Sequence, residues 1–300
     1  MRRLIVNADD FGFTAGVNRA IVEAHTHGIV TSATLMATGS AFDDAVSRAR
    51  RAPRLSVGCH VVLVDGRPVL DAAQLSSIAS ASASSVPADS GHPRFRHGLK
   101  SFAARALTGR LNPAEIEAET SAQIRKLQSA GVAVSHIDSH KHTHLFPAVL
   151  RPMLRAARAR GVLAIRNPFG PSRPLNSNEL LVRPSLWRRY AEVRVLRALA
   201  GKFRDAVGRE GLICPDGTLG IVVTGELDEE LFRAIAAIIP EGTWEFVCHP
   251  GYNDSDLQQA GTRLLQSRET ELRVLMMPEV KELLQNCGIS MISYRELVSS

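Results

Sequence analysis

Four of the ten histidines and one aspartate fall within nine residues of the stretch Val134-Ser-His-Ile-Asp-Ser-His-Lys-His-Thr-His-Leu-Phe-Pro147. Imidazole nitrogens beside a carboxylate are the donor types that a divalent cation takes. Val132 to Ile137 reads as a short buried strand after Gly131, so the histidines begin where the strand runs out. Successive strand side chains point to opposite faces, so His136, Asp138 and His140 share one side and Lys141 does not. The competing reading is a polar turn whose histidines bond to backbone or lie in solvent.

Three further segments carry similar groups. Asp9 and Asp10 follow the apolar run Leu4-Ile-Val6, His60 ends Leu55-Ser-Val-Gly-Cys-His60, and His249 ends Thr243-Trp-Glu-Phe-Val-Cys-His249. Taken singly, adjacent carboxylates mark a turn or a helix cap, and a lone strand-end histidine satisfies a backbone group. Their shared placement at strand ends is the signal, because the strand ends of a β/α barrel open onto one face. Cys59 faces away from His60 and is read as packing.

The elements that must position these groups alternate as parallel β/α units do. A helix burying Val17, Ala20, Ile21 and Ala24 stops at Gly28. A strand is expected at Thr31 to Met36, a helix at Ala41 to Arg51 and a strand at Leu55 to Val62. Asn112 as N-cap, Pro113 at the first position and Glu115 in capping-box position start a helix whose buried stripe is Ile116, Ile124 and Leu127. Further expectations are a helix over Pro147 to Arg160, strands at Val162 to Ile165 and Gly220 to Val223, a helix capped by Asp228, and a strand at Ile289 to Ile292. About seven units in 300 residues suggest one barrel domain over residues 1–300.

Two stretches break the rhythm. Residues 71–97 include the low-complexity run Ser76 to Ser85 and read as a mobile surface loop. Residues 170–211 include a basic helical pattern from Arg183 to Phe203. Leu186, Tyr190, Val193 and Leu196 are expected on its apolar face, with Arg188, Arg189, Arg194, Arg197 and Lys202 elsewhere. Such a helix is either a solvated surface element or a peripheral membrane contact, here through residues 183–204.

Composition narrows the classes. With 45% hydrophobic and 22% charged residues the chain reads as globular, and no run approaches a membrane span of about 18 apolar residues. The N-terminus enters directly into a strand pattern, so a cytoplasmic location is expected, peripheral at the inner membrane face if the basic helix docks. The four cysteines are dispersed, which argues against a disulfide framework or a thiolate zinc site. The net charge is +6, but only 5% of residues are aromatic and no nucleic-acid signature accompanies the charge, so nucleic acid is not an expected partner. Oligomeric state is left open.

Ile5-Val-Asn-Ala-Asp-Asp-Phe-Gly12, Gly58-Cys-His60, His136 to His144 with Phe146-Pro147, and Cys248-His-Pro-Gly251 together resemble the YdjC-like carbohydrate deacetylases, in the family's order. Within that family the chain is most similar to the hopanoid-biosynthesis-associated deacetylase. Asn18-Arg-Ala-Ile-Val-Glu-Ala24, Cys59 to Asp65, Lys141 and Arg166-Asn-Pro168 point there. The related chitooligosaccharide deacetylases usually carry a third consecutive histidine where this chain has Lys141.

The resemblance implies a distorted TIM-like barrel of the NodB/YdjC deacetylase type. It implies Asp10, His60 and His140 as metal ligands, Asp9 as general base and His249 as proton donor to the leaving amine. His136, Asp138, His142 and His144 would support the ligands or face substrate, and Arg166 would orient Asp9 or the sugar. One divalent ion is implied; two nitrogens and one oxygen favour zinc, cobalt or nickel over magnesium, the ion often given for the family. The ion would acidify water and polarise an acetyl carbonyl, while a histidine near pKa 6.5 protonates the departing amine. The substrate would be an N-acetylglucosaminyl sugar, lipid-linked on a hopanoid, or alternatively diacetylchitobiose. Two other classes stand beside this reading: a non-catalytic metal- or glycan-binding protein, and a glycosidase using paired carboxylates.

Overall fold

The computed structural model describes residues 1–80, 94–96, 98–173, 175 and 177–299. Nine strands run through them: β1 (Arg2–Phe11), β2 (Ser32–Leu35), β3 (Ser56–Val61), β4 (Ala79–Ser80), β5 (Arg94–Phe95), β6 (Ile137–Ser139), β7 (Gly217–Leu219), β8 (Gly242–Cys248) and β9 (Ile289–Met291). Between them lie α1 (Ala15–His27), α2 (Phe42–Arg51), α3 (Leu99–Leu107), α4 (Pro113–Ser129), α5 (Pro147–Ala159), α6 (Ser177–Val182), α7 (Trp187–Leu196) and α8 (Ala200–Arg209). The chain closes with α9 (Glu229–Ala237), α10 (Ser255–Gln259), α11 (Gln266–Met276), α12 (Pro278–Asn286) and α13 (Tyr294–Ser299).

Seven strands form one parallel sheet ordered β6-β3-β2-β1-β8-β7, with β9 also paired to β1. β1 is its axis. Residues 4–11 of β1 are all buried, because helices cover one face and the inner cluster of polar side chains the other. Two isolated bridges, Ile137 to Ile165 and Ala164 to Ile213, carry the sheet from β6 round to the segment that leads into β7. The result is the expected distorted β/α barrel.

α1 buries Val17, Ala20, Ile21 and Ala24 against this sheet, and the Thr14 hydroxyl caps its start by accepting from the Val17 N–H at 3.2 Å. An N-cap of this kind contributes about 1 kcal/mol. α4 starts at its Asn112 cap as expected, but Glu115 does not close a capping box. Its carboxylate instead accepts from the Ser77 N–H at 2.8 Å, and the Ser77 hydroxyl takes up the Asn112 N–H at 2.9 Å. The start of the 71–97 segment is thereby fastened to a core helix, and Leu75 and Ile78 are buried. Residues 81–93 and 97, where most of the expected mobile loop falls, lie outside the described residues.

Three strand expectations need correction. The strand after Gly131 begins only at Ile137, and the one expected over Val162 to Ile165 is reduced to the two bridges, with Pro168 unable to donate to a longer ladder. Gly220 to Val223 is a turn, and the strand lies just before it at β7. Gly220 sits at φ +92, where a Cβ would stand 2.5 Å from the Val247 carbonyl oxygen. Val222 and Val223 are buried within that turn, so their apolar character reflected burial and not extension.

Candidate active site

The expected residues converge at the carboxyl ends of β1, β3, β6 and β8. β1 supplies both aspartates. In a regular strand Asp9 and Asp10 would face opposite ways, but Asp10 adopts φ +66, a left-handed conformation that brings both carboxylates into one pocket. Gly12, also left-handed, follows, and its N–H donates to Asn18 Oδ1 at 2.6 Å.

Asp10, His60 and His140 offer an oxygen and two nitrogens that all lie within 4.8 Å of one another. Asp10 Oδ1 stands 3.5 Å from His60 Nε2 and 3.6 Å from His140 Nδ1. Asp10 Oδ2 is held separately by Arg268 Nη2 at 2.6 Å, which leaves Oδ1 facing the two imidazoles. On the far side of His60, Nδ1 meets Asp138 Oδ1 at 2.7 Å, fixing the ring so that Nε2 points to Asp10. A carboxylate behind a histidine in this way is the usual support of a metal-ligating imidazole.

A second triplet, Asp9, His60 and Asp138, has similar spacing, but both of its carboxylates are bonded to Arg166. The Asp10 set therefore fits a cation better. Among the described residues, five buried carboxylates (Asp9, Asp10, Asp138, Glu245 and Glu271) face two buried guanidiniums, Arg166 and Arg268. An acid excess of this kind favours a bound cation.

Asp9 is the second centre. Arg166 donates to it twice, Nη1 to Oδ2 at 2.8 Å and Nη2 to Oδ1 at 2.6 Å, and Asn7 and Thr34 add bonds to Oδ1 at 3.0 and 3.2 Å. Burial opposes ionisation of Asp9, but Arg166, His60 and His249 outweigh it and hold the carboxyl far below its ordinary range. Burial likewise opposes the charge on Asp10, and Arg268 with the two histidines again wins. His249 Nε2 lies 3.8 Å from Asp9 Oδ2, while Glu271 accepts the backbone N–H of His249 at 2.6 Å. Burial pushes the His249 imidazole below its ordinary pKa. Burial also disfavours the proton on His60, but Asp138, Asp9 and Asp10 raise it to about 9, and a cation at Nε2 would compete with that proton.

Of the remaining expected residues, Arg166 is fully buried and reaches Asp9, Asp138 and Glu245; of its two expected roles, the contact with Asp9 is the one present. His136, Asp138 and His140 do share the inner side, and Lys141 turns out to the rim and pairs with Asp65. His136 lies at the floor, fully buried, bonded to Asn7 Oδ1 at 3.1 Å and stacked 3.6 Å from the Tyr294 ring. His144 bonds Ser139 at 2.6 Å and packs on Phe203. His142, at φ +51, is pushed down to about 3 by burial and by Arg166, and so stays neutral.

Glu245, Arg268, Tyr294, Thr34 and Glu271 were not expected. Glu245 accepts Arg166 at 2.6 Å and the Tyr294 hydroxyl at 2.6 Å. A single acid inside the apolar run Trp244 to Cys248 was the one signal in the sequence, since a charge there must find a partner.

A model of the family described as YdjC-like protein matches residues 3–286. The chain belongs to the YdjC-like family. This YdjC-like chain is 34% identical over 296 residues to a carbohydrate deacetylase of Geobacillus stearothermophilus, covering 98% of each. It is 28% identical over 299 residues to a chitooligosaccharide deacetylase of Escherichia fergusonii, covering 99% of each. A solved structure from Enterococcus faecalis, described as a candidate cellobiose-phosphate cleavage protein, superposes with TM-score 0.74 at 28% identity, covering 99% of this chain and 98% of that one.

Proposed function

We propose that the chain is a metal-dependent carbohydrate N-deacetylase that hydrolyses the acetamide of an N-acetylglucosaminyl sugar. The observation that carries this is the meeting of the Asp10, His60 and His140 donors beside an aspartate clamped by arginine and facing a histidine. The named relatives, carbohydrate and chitooligosaccharide deacetylases, support the same reading.

Asp10, His60 and His140 would hold the cation, zinc before magnesium, cobalt or nickel by ligand type. When bound, it supplies a Lewis acid that acidifies water and polarises the acetyl carbonyl. Asp9 takes the proton from the attacking water. Arg166 keeps Asp9 ionised and aimed before that transfer. His249, directly across from Asp9, delivers a proton to the sugar nitrogen as the C–N bond breaks, so the product leaves as an amine. A protein that only binds metal has no use for the Asp9 and His249 pair.

On substrate, the reading favoured by the Lys141 and Arg166-Asn-Pro168 variants is a lipid-linked acetylglucosaminyl hopanoid. The alternative, diacetylchitobiose, is favoured by the chitooligosaccharide deacetylase relatives. Metal-restored protein is to be incubated with both substrates and acetate measured. Release from neither, across zinc, cobalt, nickel and magnesium, would sink the deacetylase reading; the ratio of the two rates assigns the substrate.

A further inference from the structure

Between residues 183 and 209 the chain carries seven arginines and one lysine against two acids, Glu192 and Asp205. That excess equals the +6 of the whole protein, so the remaining residues are balanced. The same region holds an unusual share of exposed apolar surface. Of the eleven large hydrophobic side chains exposed among the described residues, five lie between Leu181 and Leu196.

Leu186, Tyr190 and Val193 do turn toward the protein as expected, although Leu196 stays 37% exposed. α7 also has a second apolar stripe, on its outer side. Trp187, Ala191 and Val195, spaced i, i+4 and i+8, are all exposed, Trp187 at 55% and Val195 at 75%. Leu181 and Val182 on α6 add 69% and 73%. Arg188 and Arg194 border the stripe on its two sides by helical spacing, the first paired with Glu192 and the second resting on Tyr190. The inner side is tied down: Arg189 donates to the Val222 and Thr224 carbonyls, Arg197 to the Gly170 carbonyl at 2.7 Å, and Leu186 is fully buried. The outward stripe therefore does not result from a helix that has failed to pack.

We infer that α6 and α7 form a docking surface for an anionic lipid bilayer. An exposed tryptophan and aliphatic side chains enter the boundary between headgroup and acyl chain, and the bordering arginines meet lipid phosphates. Charge decides between occupants. A second copy of this surface would set arginine against arginine, whereas an anionic leaflet complements Arg188 and Arg194 on the two borders of the stripe. The chain runs on from this surface to the site. Phe203 of α8, which follows α7, packs against His144 of the histidine cluster and against Phe169. The inference rests on this surface alone and holds whichever sugar is deacetylated.

The test is co-sedimentation of the full chain with vesicles of phosphatidylcholine alone and of phosphatidylcholine with phosphatidylglycerol at three to one. The protein is expected to sediment with the anionic vesicles, less so as salt rises, and to ignore the neutral ones. Replacing Trp187 and Val195 by Ser should weaken partition about tenfold or more, and R188Q with R194Q should do the same. Acetate release from a short soluble substrate and the thermal midpoint should stay as in the parent for both double variants. No sedimentation with anionic vesicles at low salt would overturn the inference, as would equal sedimentation of parent and W187S/V195S. A dimer in analytical ultracentrifugation that W187S/V195S abolishes without changing vesicle partition would assign the stripe to a second copy instead.

Discussion

Arg166 holds Asp9 through two parallel hydrogen bonds of 2.8 and 2.6 Å, and both residues are buried. The guanidinium also bonds Asp138 and Glu245, so its removal strands three carboxylates at once. Arg166→Gln is expected to cost about 3–5 kcal/mol of stability, read from denaturant unfolding, and to lower kcat about 100-fold or more. Arg166→Lys should rescue charge but not the fork, and so recover stability more than rate. A Gln variant of near-parental rate would remove Arg166 from the proposed chemistry.

The two neighbouring aspartates should separate cleanly. Asp9→Asn is expected to abolish acetate release while binding zinc as tightly as the parent. Asp10→Asn should lose affinity for the metal itself, by at least the factor of about 10 to 100 that loss of an outer partner costs, because a neutral amide oxygen replaces an anionic donor. Titration calorimetry with zinc on both variants checks this, and parental metal affinity in Asp10→Asn would contradict the ligand assignment.

Gly58 predicts a purely steric effect. A Cβ there would stand 2.5 Å from His136 Cε1 and 2.7 Å from the His136 carbonyl oxygen. Gly58→Ala is expected to destabilise by about 1–3 kcal/mol and to disturb the Asn7 contact beneath Asp9. An unchanged midpoint of unfolding would show that the His136 strand can shift aside.

Acid should weaken the fold in two stages. Burial drives His136 and His144 well below their ordinary pKa, so below about pH 6.5 the unfolded chain binds protons that the native protein refuses. Each contributes a loss of about 1.4 kcal/mol per pH unit in that window. Asp9 and Asp10, held low, stabilise fully above their unfolded pKa, and their contribution drains away as pH falls through the acid range. His60, raised to about 9, acts oppositely: its contribution is complete below pH 6.5 and is lost as pH rises through 9. Urea midpoints for metal-free protein between pH 4 and 9 should therefore peak near neutrality, and a flat profile from pH 7 to 5 would contradict the neutral burial of the two histidines.

Much of the fold could be read from hydrophobic spacing, and the reasons differ by element. α1 and α4 show helical periodicity and side-chain caps, and both form where expected. β7 was displaced because a buried turn and a buried strand present the same apolar letters. The strand-end placement of Asp9 and Asp10, His60, the His136 to His144 cluster and His249 could be read from the apolar runs before them. The choice of Asp10, His60 and His140 as donors came only with the family resemblance. Arg268 could not be read, since it sits in the polar run Gln266 to Glu271 and looks solvated until α11 is placed against Asp10. Nor could the inward roles of Glu119 and Gln123. They lie on the buried face of α4 and bind the backbone at Val62, Val69 and Leu70 beyond His60, a partnership across more than forty residues.

Around the barrel, among the described residues, the stretch from β6 to β7 is joined by the Thr218 N–H donating to the Phe169 carbonyl at 3.0 Å and by two isolated bridges, at Ala164 and Ile165. The next residue, Arg166, spans that weak seam with its side chain, reaching Asp138 on β6, Asp9 on β1 and Glu245 on β8. One guanidinium therefore serves as the rivet of the ring and as the collar of Asp9. Loss of the guanidinium would loosen the ring and unsettle Asp9 together, whereas a lysine there would part the two effects.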